Sequence, residues 1–270
     1  MKNIFVLTVL LLLAVQGLAA EKESAKEVDK QTLFQRYADQ GVPLDALRRT
    51  FEFLEKNAEA SFKVKLHDET TKKTILNKNY AVIINYNQPS SERRLYLLNL
   101  KTGEINKYFV AHAINTGGNV AKYFSNTVDS KKSSLGFYIT GSSFPGKHGN
   151  TLYLHGLEKT NDNAYVRDIV MHGASYVSLD FLESNGRLGR SWGCPAVSEA
   201  IAEKVIPLIK NGALYYIHHN SLMTVAETGA PIEDMGCDQQ DASCNGNDVV
   251  AEEVLQEMGR HQSASDQTNP

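Results

Sequence analysis

The sequence predicts a mainly β domain with a helical lead-in, one helix directly after a lone cysteine, and a polar, acidic C-terminal tail. Three observations carry that expectation. Short apolar runs bounded by turn residues recur between Phe62 and Ile217. Apolar spacing of the helical kind is strong only before residue 60 and again after Cys194. Charge is also split: residues 224–270 hold ten acidic side chains against one basic, Arg260, whereas residues 20–223 hold 26 basic and 21 acidic. With 42% hydrophobic and 22% charged residues, the body has enough apolar material for one sizeable core with appendages.

Taken in order, Met1-Lys2-Asn3 is a short positive start, Ile4 to Val15 an apolar run, and Gly17-Leu18-Ala19 a small-residue site, so residues 1–19 read as an export signal cleaved after Ala19. The run is shorter than the roughly 20 residues that span a bilayer, and no later segment approaches that length, so no integral membrane segment is expected after cleavage. The absence of a nearby cysteine removes the usual lipid-anchor signal. Residues 20–60 form a helical N-terminal segment. It has a charged linker to Lys30, a helix over Gln31 to Gln40, and a second helix after Gly41-Val42-Pro43, where Leu44, Leu47, Phe51 and Leu54 repeat at three and four residues. Residues 61–223 form the strand-rich domain. Its expected strands are Tyr80 to Ile84, Leu95 to Leu98, Tyr108 to Ala111, Gly136 to Ile139, Thr151 to Leu154, Asp168 to Met171 and Leu214 to Ile217. The turn Asn99 to Glu104 joins the second to the third. The one clear helix of this half is Glu199 to Lys210, with Pro207 distorting its last turn. The tail, 224–270, is polar, with a short helix over Val249 to Met258 and a disordered end from Ser263.

Export changes what the three cysteines mean. Cys237 and Cys244 lie close together and are natural disulfide partners in an oxidising compartment, although sequence does not fix connectivity. Cys194 is then the odd thiol. No CxxC spacing argues for zinc, and neither a metal nor another cofactor is expected. No dense Lys/Arg stripe interleaved with aromatics calls for nucleic acid. A mildly basic body suits a carboxylate-rich wall polymer, or is simply a solvated surface. A monomer is the default.

Cys194 sits in Arg190-Ser191-Trp192-Gly193-Cys194-Pro195. Ser198 is a helix-capping residue type, so the thiol is expected a few residues before a helix N-terminus, where the dipole and free N–H groups favour its thiolate. Gly193 lets the backbone turn so that the amides of Gly193 and Cys194 face the oxygen of a carbonyl under attack. Such donors are worth about 3 kcal/mol each in the transition state.

The stretch Ile169 to Pro195, IVMHGASYVSLDFLESNGRLGRSWGCP, resembles the L,D-transpeptidase (YkuD-type) catalytic domain, whose signature is a His-Gly pair, a spacer, and Ser/Thr-His-Gly-Cys. Ser133-Ser134-Leu135-Gly136-Phe137-Tyr138 is similar to the family's substrate-side strand. The likeness covers about residues 80–220 and implies a β-sandwich-like catalytic fold acting on peptidoglycan stem peptides. Cys194 would attack the carbonyl of the third stem residue, diaminopimelate, and expel D-alanine. His172 would serve as base, and the acyl group would pass to an amine in cell wall biogenesis and cell-shape maintenance. Transfer to water instead would make an L,D-carboxypeptidase or endopeptidase, and loss of chemistry a wall-binding protein. The periplasm or wall of a bacterium is the implied location. Two departures stand out: Trp192 replaces the second histidine, and Pro195-Ala196-Val197 replaces a following arginine. Tryptophan accepts no proton, so the base role falls on His172 alone. Gly173, Ser191, Trp192 and His155 are candidate substrate contacts, and Arg187 and Arg190 candidate carboxylate clamps. His112 is a cleft candidate, while His148 and the pair His218-His219 read as solvated or structural. A sortase needs a downstream arginine and a papain-like enzyme a histidine after its cysteine, and this chain has the opposite order.

Overall fold

The computed structural model describes residues 28–222. The expected leader 1–19, the Cys237 and Cys244 pairing, the helix Val249 to Met258 and the acidic tail lie outside the described residues.

Two helices lead in. Helix α1 (Lys30–Asp39) begins at Asp29, whose carboxylate accepts from Thr32 N–H at 3.0 Å and satisfies one of the four donors a helix start leaves open. Helix α2 (Leu44–Lys56) buries Ala46, Leu47 and Thr50 and touches β3 (Tyr80–Asn85) and β10 (Leu214–His218). Its Phe53 stacks on Phe137 at 4.1 Å, and Phe137 stacks on Tyr216 at 4.2 Å, so the lead-in is bound to the sheet by an aromatic column.

An exposed hairpin follows, β1 (Ser61–Lys65) with β2 (Thr70–Thr74), which the polar sequence does not announce. The remaining strands are β4 (Leu95–Asn99), β5 (Ile105–Tyr108), β6 (Gly136–Gly146), β7 (Gly149–Gly156), β8 (Val170–Gly173) and β9 (Ala196–Val197). With β3 and β10 they form one sheet in the order β5-β4-β3-β10-β6-β7-β8-β9. The expected mainly β fold is therefore present, and its strands build a single sheet that curls into a barrel. Beyond β5 the chain leaves β4, because the Val110 carbonyl accepts the Nε and Nη2 hydrogens of buried Arg94. It then crosses to the other edge of the sheet, where Ala111 N–H donates to Ala196 O at 2.8 Å and Ala113 bridges Ser191. This pairing covers the β9 edge, which would otherwise stay open.

β8 and β9 are parallel, and parallel neighbours need a crossover of about a dozen residues or more. Between them, within the spacer from His172-Gly173 to Cys194, lies a helix not expected from the sequence, α3 (Leu179–Asn185). Its signals are present: Ser178 caps it, accepting from Phe181 N–H at 3.2 Å, and Gly186 ends it in the left-handed conformation at φ 67°. The helix expected after Cys194 is α4 (Glu199–Ile209), with Pro207 in its last turn. It buries Ala202, Val205, Ile206 and Ile209 against a core shared with β3, β6, β7 and β8.

Candidate active site

Leu152 faces Met171 across β7 and β8, and both are fully buried. Strand alternation therefore turns Val170 and His172 to the opposite face of β8. His172 pairs with Ala196 of β9, and Cys194 lies two residues earlier on that segment, alongside Val170. The crossover thus brings the two residues singled out in the sequence onto adjacent parallel segments.

Cys194 is half-buried, and its sulfur is held by backbone. Val170 N–H donates to Sγ, and Sγ–H donates to the Asp168 carbonyl, each at 3.5 Å. Burial pushes the thiol up to about 11, while Val170 N–H and the Arg167 guanidinium partly oppose the shift. Withdrawal from water thus opposes the thiolate that the helix start was expected to favour. Ser198 begins α4 without a side-chain capping bond.

His172 is 8% exposed, and its Nδ1–H donates to Gly173 O at 2.7 Å. A carbonyl can only accept, so the neutral ring carries its proton on Nδ1 and leaves Nε2 bare. Burial lowers its pKa, with Gly173 O opposing and His148 adding to the fall. Among the described residues no hydrogen bond joins His172 to Cys194. The His148 ring stacks on His172 at 5.1 Å and 29°, delivered by the β6–β7 turn. A side chain at position 173 would meet Glu199 Cα at 2.8 Å and His148 O at 3.3 Å, so Gly173 is what lets α4 and that turn close on the histidine.

Gly193 lies at φ +150°, and a Cβ there would stand 2.4 Å from Ile169 Cδ1. Its N–H donates to Ser191 Oγ at 3.3 Å, and that hydroxyl donates to Cys194 O at 2.6 Å. Ser191 therefore ties the loop around the cysteine. Arg190 reaches the carbonyls of Ile114 and Gly117 at 3.3 and 3.1 Å, and Arg187 that of Leu188 at 2.9 Å. Trp192 is 39% exposed. His155 is buried on β7, stacked on Tyr165 at 5.5 Å and pushed down to about 4 by burial.

Several residues of the site were not legible in sequence. Arg94 is fully buried and donates to Gln88 O, Val110 O and His112 Nδ1, the last at 2.7 Å, with its guanidinium 4.7 Å over Tyr86. His112 is therefore the neutral Nε2–H tautomer, donating to Gly117 O, and its own carbonyl accepts from Ser191 N–H. Arg167 donates to Ser125 O, Ser130 Oγ and Lys132 O beside Gly193. Of these residues His112 is the cleft candidate of the sequence, whereas His148, in its Gly-Lys-His-Gly turn, reads there as solvated or structural.

Residues 52–218 match a family model described as the L,D-transpeptidase catalytic domain. No curated protein matches. Among solved structures the chain is similar to the L,D-transpeptidase from Mycobacterium smegmatis, at 10% identity over 59% of this chain and 67% of that one, TM-score 0.33. It is similar to the helical cell shape determining protein Pgp2 from Campylobacter jejuni, at 15% identity over 66% and 57%, TM-score 0.33. It is also similar to Bdellovibrio bacteriovorus Bd1075, at 16% identity over 58% and 52%, TM-score 0.33. The matched region thus spans about half to two thirds of those chains.

Proposed function

The chain belongs to the L,D-transpeptidase catalytic-domain family, and on that premise we propose that it is an exported peptidoglycan L,D-transpeptidase working through a cysteine acyl-enzyme. The observation that carries this is the crossover geometry, His172 and Cys194 on adjacent parallel segments with His172 Nε2 left free to take a proton. In this reading Cys194 is the nucleophile and His172 its general base. The carbonyl of the third stem residue is attacked, D-alanine leaves with the proton returned by His172, and an amine of a second stem takes the acyl group. Residues 1–19 are removed on export and residues 61–223 hold the chemistry.

The resting pair is neutral. Burial pushes the thiol up to about 11 and the imidazole below its ordinary range, so both shifts oppose moving the proton before substrate binds. Proton transfer and sulfur attack therefore proceed together, with Sγ–H turning from the Asp168 carbonyl to Nε2. The Cys194 N–H lies against its own sulfur, close to where the developing oxyanion forms. The Gly193 N–H joins it by giving up Ser191 Oγ.

The test is incubation of the protein with disaccharide tetrapeptide and mass spectrometry of the products. Wild type is expected to release D-alanine and form cross-linked dimers, and Cys194→Ala and His172→Gln to form neither. Tripeptide without dimers would reassign the enzyme as an L,D-carboxypeptidase. Turnover that survives in Cys194→Ala would overturn the cysteine mechanism.

A further inference from the structure

The segment between Gly117 and β6 packs over the cysteine loop, and two of its residues hold costly backbone. Asp129 at φ 60° and Lys131 at φ 51° are both left-handed without being glycine, a conformation that costs an L residue energy. The surrounding bonds pin them. Asn115 N–H donates to Lys131 O and Asn115 Nδ2 to Ser130 O, each at 3.0 Å. Arg167 holds Ser130 Oγ at 3.2 Å and Lys132 O at 2.5 Å. The strap is pressed onto the site, since Lys132 O and Arg167 Nη2 stand 3.7 and 3.5 Å from where a Cβ of Gly193 would be.

The clamped strap sets an ammonium on the indole of the cysteine loop. Lys131 Nζ lies 4.6 Å from the centre of the Trp192 ring, two residues from Cys194. Among the described residues Lys131 forms no ion pair. The acidic side chains close in sequence to the strap and to the sulfur's acceptor, Asp129 and Asp168, are both exposed, and Asp168 faces His67 at 4.0 Å. An ammonium on an indole face keeps its charge while the ring shields one side from water, which strengthens its hold on an anion arriving from the other.

We propose that Lys131 and Trp192 form a carboxylate subsite beside Cys194, taking the free C-terminal carboxylate of the stem residue that leaves. The proposal rests on the transpeptidase reading for its substrate class. It gives Trp192 a role that a histidine at that position would not have, as the wall of an anion site. It also makes the enzyme select stems with a free end.

Trp192 is the chain's only tryptophan, so its fluorescence reports on this one place. The full-chain Cys194→Ala protein is titrated with disaccharide tetrapeptide and, separately, with the same compound carrying a C-terminal amide. A third ligand, amidated on the third residue instead, separates the terminal carboxylate from that of the side chain. The free acid is expected to shift the Trp192 emission and to bind about tenfold more tightly than the terminal amide. In a Lys131→Gln background that preference disappears, and Lys131→Arg restores it. Equal binding of acid and terminal amide, or a preference that survives Lys131→Gln, overturns the subsite. So does the absence of any binding. Acid-selective binding together with wild-type protein that turns nothing over would leave the subsite standing and remove the transpeptidase reading.

Discussion

Raising pH on the intact protein tests the neutral thiol directly. Burial holds Cys194 near 11, against 9.0 for the unshifted thiol, which is about 3 kcal/mol against the thiolate. At pH 7 the thiolate fraction is then about 10⁻⁴, compared with about 1% for the unshifted thiol. The more basic sulfur recovers part of the loss in intrinsic nucleophilicity, so alkylation should run roughly tenfold slower than that of an unshifted thiol at pH 7. The assay is iodoacetamide labelling at a series of pH values, followed by mass spectrometry of the peptide containing Cys194. The rate is expected to rise about tenfold per pH unit and to level off only near 11. His172→Gln should leave that inflection where it is, because a neutral ring contributes no charge to the sulfur. Leveling at about 8.5 would show a thiol that burial does not shift, and leveling below about 7 would mean a preformed thiolate and would refute the concerted step.

Gly193→Ala forces a Cβ to 2.4 Å from Ile169 Cδ1 at φ +150°, and should lower stability by about 1–3 kcal/mol and suppress D-alanine release, read by thermal denaturation and product analysis. Phe53→Ala breaks the aromatic column to Phe137 and Tyr216; a loss of about 3 kcal/mol in urea unfolding would show that the helical lead-in is part of the folded unit, and an unchanged midpoint that it is not. Acid should unfold the protein through its histidines. His155 is neutral in the fold down to about 4 but protonates near 6.5 when unfolded, so its stabilisation of about 3 kcal/mol is present above 6.5 and lost as pH falls through 4. His155→Leu should flatten that part of the stability curve, and an unflattened curve would show that His155 is not the residue responsible.

Much of this protein is written locally. Helical spacing at Leu44, Leu47, Phe51 and Leu54 marked α2, the apolar run at Tyr80 to Ile84 marked β3, and the stretch Glu199 to Lys210 with Pro207 near its end marked α4. Each of these depends on neighbours a few residues apart, and so does the signature that named His172 and Cys194. Even α3 had its cap and its glycine, but a seven-residue helix with no buried residue leaves too little apolar pattern to be noticed. What the sequence could not supply depends on partners far along the chain. Nothing near Ala111 says that it meets Ala196, and nothing near Lys131 or His148 says that one lies on Trp192 and the other on His172. Residues 190–198 suggested an activated thiolate, because a helix start and a glycine are visible there. The fold adds an opposing effect, since a thiol's ionisation also depends on how much water reaches it, and that is set by every segment closing over the sulfur. The chain by itself marked the residues that the proposed chemistry would use, and the tertiary structure set how much water reaches them, because that depends on every segment packed around the site.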